Sequence, residues 1–329
     1  MYPATDARRT LRRDSGAGFS LPELMIATAI LLIISSIVAS GILQTTMSQR
    51  TIANRTEMHS GVRSATELLQ QEVGQAGRVA LPGTATLGAA VPAGPATQTV
   101  RVNINGAASV SGIFIGEQLA IDSGPAAETV TVTNVDTTSN QKITAVFVNA
   151  HNSGATINAL GGFGTGIVPP SPGFPNGSTS TILKLYGDIN GDGNMVYVEY
   201  KCDTTVVPGS LYRNVMAFDL PAASKPALTG SQVLLGNILV NPNNTACFTY
   251  MPTPLPVVNG NTYVLDVAIT LTVQTQLKDP TTNQFQTETK ALLNVSPRNV
   301  FDVWQLASAG GTLVNRLQPM PPTVLALLP

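Results

Sequence analysis

Gly18-Phe19-Ser20-Leu21-Pro22-Glu23 opens a stretch, Leu24 to Gln49, that contains no charged side chain, and the reading of this stretch decides the architecture of the chain. Rich in Ile, Leu, Val and Ala, it is long enough to cross a bilayer, which takes roughly 20 apolar residues. Upstream lie Arg8, Arg9, Arg12 and Arg13, a basic flank of the kind that stays on the cytoplasmic side. A secretory signal peptide would have a shorter apolar core with its small-residue cleavage site behind it. Here the small residue, Gly18, stands in front. Cleavage at Gly18 would discard the basic leader and leave the apolar helix on the mature protein.

These residues resemble the processing site and spine of type IV prepilins, a resemblance that is specific over about the first 60 residues. It implies that a membrane-embedded aspartyl peptidase cuts between Gly18 and Phe19 and methylates the new amino terminus. It further implies that Glu23 pairs with the terminal amine of a neighbouring subunit, which agrees with the cost of leaving a carboxylate unpartnered in hydrocarbon. The implied partners are other pilins, met through the N-terminal helix, and the prepilin peptidase. The implied location is a single pass in the inner membrane with a periplasmic C-terminal domain, followed by the pilus at the cell surface. The competing reading is a plain signal anchor with Glu23 at the membrane interface.

Only 11% of residues are charged, and the net charge is −1. Without residues 1–18 the chain keeps 14 basic and 17 acidic side chains, or −3. The remaining Lys and Arg are scattered rather than striped, so nucleic acid is not an indicated partner. Cys202 and Cys247 are the two cysteines. In an exported domain they suit one disulfide, whose loop of about 45 residues is worth on the order of 4 kcal/mol in the chain-entropy account. Two buried free thiols are the alternative. Neither cysteine has zinc-ligand spacing. The histidines, His59 and His151, are isolated in polar surroundings and read as surface residues. With no base and orienting partner for a nucleophile, no catalytic residue is assigned and the chain does not read as an enzyme.

Beyond the apolar stretch, Met58, Val62, Ala65, Leu69 and Ala76 recur at helical spacing. The pattern predicts one helix from about Leu21 to Gln75, roughly 80 Å long, ended by Gly74, Gly77 and Pro82. No proline lies between Pro22 and Pro82, unlike the helix of major pilins; Ser35-Ser36 and Ser40-Gly41 stand there, and Gly41 is a site for local melting on assembly. The fold class expected is α+β: residues 1–18 a leader, 19–80 the helix with 24–45 in the membrane or filament core, and 81–329 a β-rich domain. Within that domain a small meander or barrel-like insert is expected over 100–158, with strands at Ile113–Ile121, Thr129–Val135 and Ile143–Val148, then a Gly/Pro loop over 159–180. A hairpin is expected from Thr181–Tyr186 and Met195–Tyr200. Further strands are expected at Gln232–Val240, Cys247–Tyr250, Tyr263–Thr275 and Gln284–Val295, and Trp304 with Phe301 and Val303 as a packing anchor.

Tyr186-Gly187-Asp188-Ile189-Asn190-Gly191-Asp192-Gly193, Leu211-Tyr212-Arg213, Phe248-Thr249-Tyr250, Arg298-Asn299 and Gln71-Glu72-Val73-Gly74-Gln75-Ala76-Gly77 resemble PilW-like minor pilins more loosely. The resemblance implies a minor pilin that primes pilus assembly and supports twitching. A J-like pseudopilin of type II secretion is the runner-up, and a pilin-stalked adhesin or other binding module the third reading; a tip adhesin joins the implied partners. Asp188, Asn190 and Asp192 with the carbonyl of Asn194 fit the start of a calcium loop. Glu199, at its twelfth position, would lie roughly 16 Å away along an extended strand. A bare hairpin turn, its glycines supplying positive φ, explains the same residues; both readings stand at this point.

Overall fold

The computed structural model describes residues 18–138, 140–170, 174 and 176–327. The leader before Gly18, with its four arginines, lies outside the described residues.

Helix α1 (Leu21–Gln75) runs unbroken for 55 residues, through Gly41. Ser20 supplies the extended N-cap and Pro22 stands in the first turn, where its missing N–H would have no helical partner. The helix has two halves. From Leu21 to Gln44 every residue is exposed, whereas Met58, Val62, Ala65, Leu69, Val73 and Ala76 are buried. They form one stripe under a sheet. The helix stops where Gly77 takes a φ of +83°. A Cβ on Gly166 would lie 2.2 Å from the Gly77 Cα, so the turn needs glycine on both sides.

Strands β1 (Ala85–Leu87), β2 (Thr97–Ile104), β3 (Gln118–Ile121), β4 (Glu128–Thr131), β5 (Asn134–Asp136), β6 (Lys142–Val146) and β7 (Thr156–Ala159) pair antiparallel in the order β4-β3-β7-β1-β2-β6-β5. β4 and β5 stand at the two ends of this order and are joined by Val132 and Thr133, whose backbone bonds reach Gly116 and Glu117 on one side and Thr144 on the other, so the sheet curls round into a barrel. Leu87, Val102, Leu119, Ile121, Val130, Ile143 and Phe147 fill its interior. The barrel begins at Ala85 rather than near residue 100. Ala85 and Leu87 point inward opposite Ile104 and Val102, an alternation too short to stand out in the sequence. Ile113 and Phe114 are not strand but a buried turn, and Phe114 leaves the barrel to pack against Phe163 and Phe218.

Strands β8 (Ile182–Gly187), β9 (Val196–Asp203), β10 (Gly209–Ala217), β11 (Val233–Leu239), β12 (Phe248–Met251), β13 (Asp266–Gln274) and β14 (Thr287–Val295) make the sheet over α1. β8 and β9 form a hairpin with Tyr186 opposite Tyr197. β11 and β12 share one edge of β13, and β14 occupies the other. β10 was not expected as a strand, nor was helix α2 (Arg298–Ala309), which buries Val300, Val303 and Ala307. Within the Gly/Pro loop, Gly162-Phe163 pairs in parallel with Leu317-Gln318, and residues 171–173 and 175 lie outside the described residues. Gln318 accepts the Gln118 N–H and donates to the carbonyls of Gln118 and Leu160, tying the C-terminal segment to the barrel.

Candidate functional site

The N-terminal motif sits at the free end of α1. Gly18 is exposed, Phe19 is 80% exposed, and Glu23 lies in the first helical turn. The Ser20 hydroxyl donates to the Glu23 carboxylate at 3.4 Å. An anion there is favoured by the helix dipole. The uncovered apolar helix beyond it is long and apolar enough to cross a membrane. Its hydroxyl groups suit such surroundings: Thr28 donates to the carbonyls of Leu24 and Met25, Ser36 to Ile33, Ser40 to Ile37, Thr45 to Gly41 and Thr46 to Ile42. In hydrocarbon each would otherwise remain unsatisfied.

Cys202 and Cys247 are bonded to each other, joining β9 to the start of β12, and both are buried in the core beneath α1. Reduction, or Cys202→Ser with Cys247→Ser, is expected to lower stability by up to about 4 kcal/mol. Urea unfolding with and without reductant reads the effect, and an unchanged midpoint would contradict it.

The four calcium candidates differ in their surroundings. Asp188 is fully buried; its carboxylate accepts the N–H groups of Asp192 and Gly193 and faces Arg78 Nε at 3.4 Å. Asn190, Asp192 and Asn194 are exposed, and Asp192 caps the Asn194 N–H at 2.8 Å. Gly191 and Gly193 have φ of +71° and +85°, as the turn reading requires. Glu199 points elsewhere, accepting from Lys225 and the Tyr197 hydroxyl. Among the described residues no group of three His, Cys, Asp or Glu side chains is placed to hold a metal.

Two polar centres escaped sequence reasoning. Glu72, on the buried stripe of α1, accepts a forked hydrogen bond from Arg213 on β10 and another from the Tyr200 hydroxyl on β9. Burial, then the charge of Glu72, push the Tyr200 hydroxyl above its usual range, so it remains a donor. Burial works to lower Arg213, but the hydrogen bond and charge of Glu72 outweigh it and hold the guanidinium above its ordinary value. The signal lay in the Gln71-Glu72 and Tyr212-Arg213 motifs, which carried no hint of being partners. The second centre is His151, read as a surface residue. Its side chain is fully buried, set between Asp122 at 3.4 Å and Glu128 at 2.6 Å, because the barrel brings the loop after β3 and the start of β4 over the polar segment that holds it. His59 is exposed and pairs with Glu288.

The family model described as the prokaryotic N-terminal methylation motif matches residues 14–39. No curated protein and no solved structure matches the chain. Residues 14–39 thus give this chain the N-terminus of a type IV prepilin-like protein, a class of prepilin peptidase substrates that includes pilins and pseudopilins.

Proposed function

We propose that the protein is a minor pilin, cut between Gly18 and Phe19, methylated on Phe19, and built through its helix into a type IV pilus where it primes assembly. One observation carries this reading: a single helix that is bare and apolar over its first half and packed under a β-domain over its second. Such a helix can stand in the inner membrane before assembly and among other pilin helices afterwards, with the β-domain on the periplasmic side. Glu23 then pairs with a neighbour's terminal amine, the partner a carboxylate at that depth requires. The barrel, held at the domain's side by Phe114 and Gln318, is the natural surface for a tip adhesin or other binding partner.

Deleting the gene is expected to strip the cells of surface pili and of twitching, with complementation by the natural chain but not by Glu23→Ala. Unchanged piliation with lost enzyme export would move the protein to the secretion pseudopilins.

A further inference from the structure

Lys184, Glu199 and Asn214 stand in one row across β8, β9 and β10, with Glu199 directly opposite both of the others. The row faces away from α1, because Leu183, Leu185, Val198 and Tyr200 on either side of it fill the core beneath the helix and side chains alternate along a strand. All three residues are nonetheless buried, at 6%, 6% and 4% exposure. The segment after β10, with a single helical turn at Ala222–Ser224, brings two groups to the row. Lys225 sets its Nζ 2.7 Å from Glu199 Oε2, and the Pro226 carbonyl accepts from the Asn214 side-chain amide at 2.8 Å.

Three contacts therefore close a ring around an amine, a carboxylate and a carboxamide. Nζ of Lys225 meets Glu199; Glu199 stands opposite Asn214, where cross-strand Cβ atoms are about 5 Å apart; and the Asn214 amide meets the carbonyl of the residue that follows Lys225. The site is poorly hydrated. Burial, helped by the charge of Lys225 and opposed by that of Glu199, holds the nearby Lys184 ammonium below its ordinary value. Lys184 itself is engaged elsewhere, its Nζ donating to the Asn176 carbonyl at 2.8 Å, which leaves Lys225 as the amine on Glu199. Asn214 Oδ1 is buried without a hydrogen-bond partner among the described residues, an exception to the rule that such oxygens are satisfied. These parts suit acyl transfer. An amine becomes a nucleophile once its proton has passed to a neighbouring base, a carboxyl that has gained a proton can donate to the bare amide oxygen as charge develops on it, and fixed neighbours replace a high concentration of reactant.

We propose that Lys225 and Asn214 join in an isopeptide bond, with Glu199 as the proton carrier. One proton of the Lys225 ammonium passes to Glu199, and the amine attacks Cγ of Asn214. A second proton passes from Nζ to Nδ2, the Cγ–Nδ2 bond breaks, and ammonia leaves, taking the first proton from Glu199 as it goes. Nothing is oxidised or reduced. The bond staples the segment after β10 to the outer face of the sheet and keeps Glu199 covered.

The test is the mass of fragments from the full chain, purified in detergent, reduced, denatured and cut on the N-terminal side of aspartate. Asp219 lies between Asn214 and Lys225, so the cut separates Asp203–Phe218 from Asp219–Leu265 unless a side-chain bond holds them. The natural chain is expected to keep the two fragments joined, lighter by one ammonia than the two together. Lys225→Arg keeps a cation beside Glu199 but has no amine that can lose its proton, and Glu199→Gln keeps the shape but takes no proton; each is expected to release two separate fragments of full mass. Separate fragments of full mass from the natural chain would overturn the bond. Joined fragments from Lys225→Arg would overturn Lys225 as the amine, and from Glu199→Gln would overturn Glu199 as the proton carrier.

Discussion

Glu72→Ala is expected to cost about 3 kcal/mol, the low end of the penalty for removing one partner of a buried pair. Glu72 is almost fully buried, and Arg213 keeps 26% of its side chain exposed, which limits the penalty. The loss arises because Arg213 and the Tyr200 hydroxyl would keep their place under the helix without an acceptor. It is a large part of a typical domain's stability, and it falls at the contact that docks α1 on β9 and β10. Replacing all three residues with apolar ones, Glu72→Leu, Tyr200→Phe and Arg213→Met, is expected to recover most of it. Urea unfolding of the full chain in detergent measures both. A loss below about 1 kcal/mol for Glu72→Ala would show that the apolar stripe alone docks the helix.

Glu117→Gln is expected to flatten the dependence of stability on pH. Glu117 is fully buried between the barrel and the C-terminal segment, and one carboxyl oxygen, Oε1, has no hydrogen-bond partner. Burial pushes its pKa from 4.5 up to about 8, against the smaller opposing effect of the Phe114 N–H. The folded chain therefore holds a proton that the unfolded chain releases. Stability from this group is fully present below pH 4.5 and declines as pH rises toward 8 and through it. Between pH 4.5 and pH 7 the decline amounts to about 3 kcal/mol. Glutamine keeps the shape and an acceptor for Phe114 while carrying no proton to lose. Natural chain and variant should thus be close at pH 4.5 and differ by about that amount at pH 7, the variant being more stable. Parallel pH dependences would contradict the buried-acid account.

The features legible in the sequence are those whose cause is local. The helix from Leu21 to Gln75 is readable because Met58, Val62, Ala65 and Leu69 repeat at its own period, and the motif at Gly18–Glu23 because it is contiguous. The β8–β9 hairpin announces itself through its turn. The hidden features depend on distant partners. β10 carries Tyr212, Arg213 and Asn214 in a row and does not look like a strand until Glu72 is found to accept from Arg213 and the Pro226 carbonyl from the Asn214 amide. His151 sits among Asn, Ser and Gly, and its burial comes from Asp122 and Glu128 on other segments. β2 is a different case. Val100, Val102 and Ile104 alternate inward with Thr99, Arg101 and Asn103 between them, a strand pattern legible in the sequence although the expected strands begin only at Ile113. At the turn between β8 and β9, Glu199 is carried away along the strand, as its spacing implied, and what the sequence does not show is that Asp188 turns inward to cap its own loop.

The most direct test of the central claim, a prepilin-type subunit whose apolar helix outlives its leader, is the mass of the mature N-terminus in cells with and without the prepilin peptidase. An N-methylated Phe19 that disappears with the peptidase is the predicted result. An intact Met1 in both strains, or a cut beyond the apolar stretch, would contradict it.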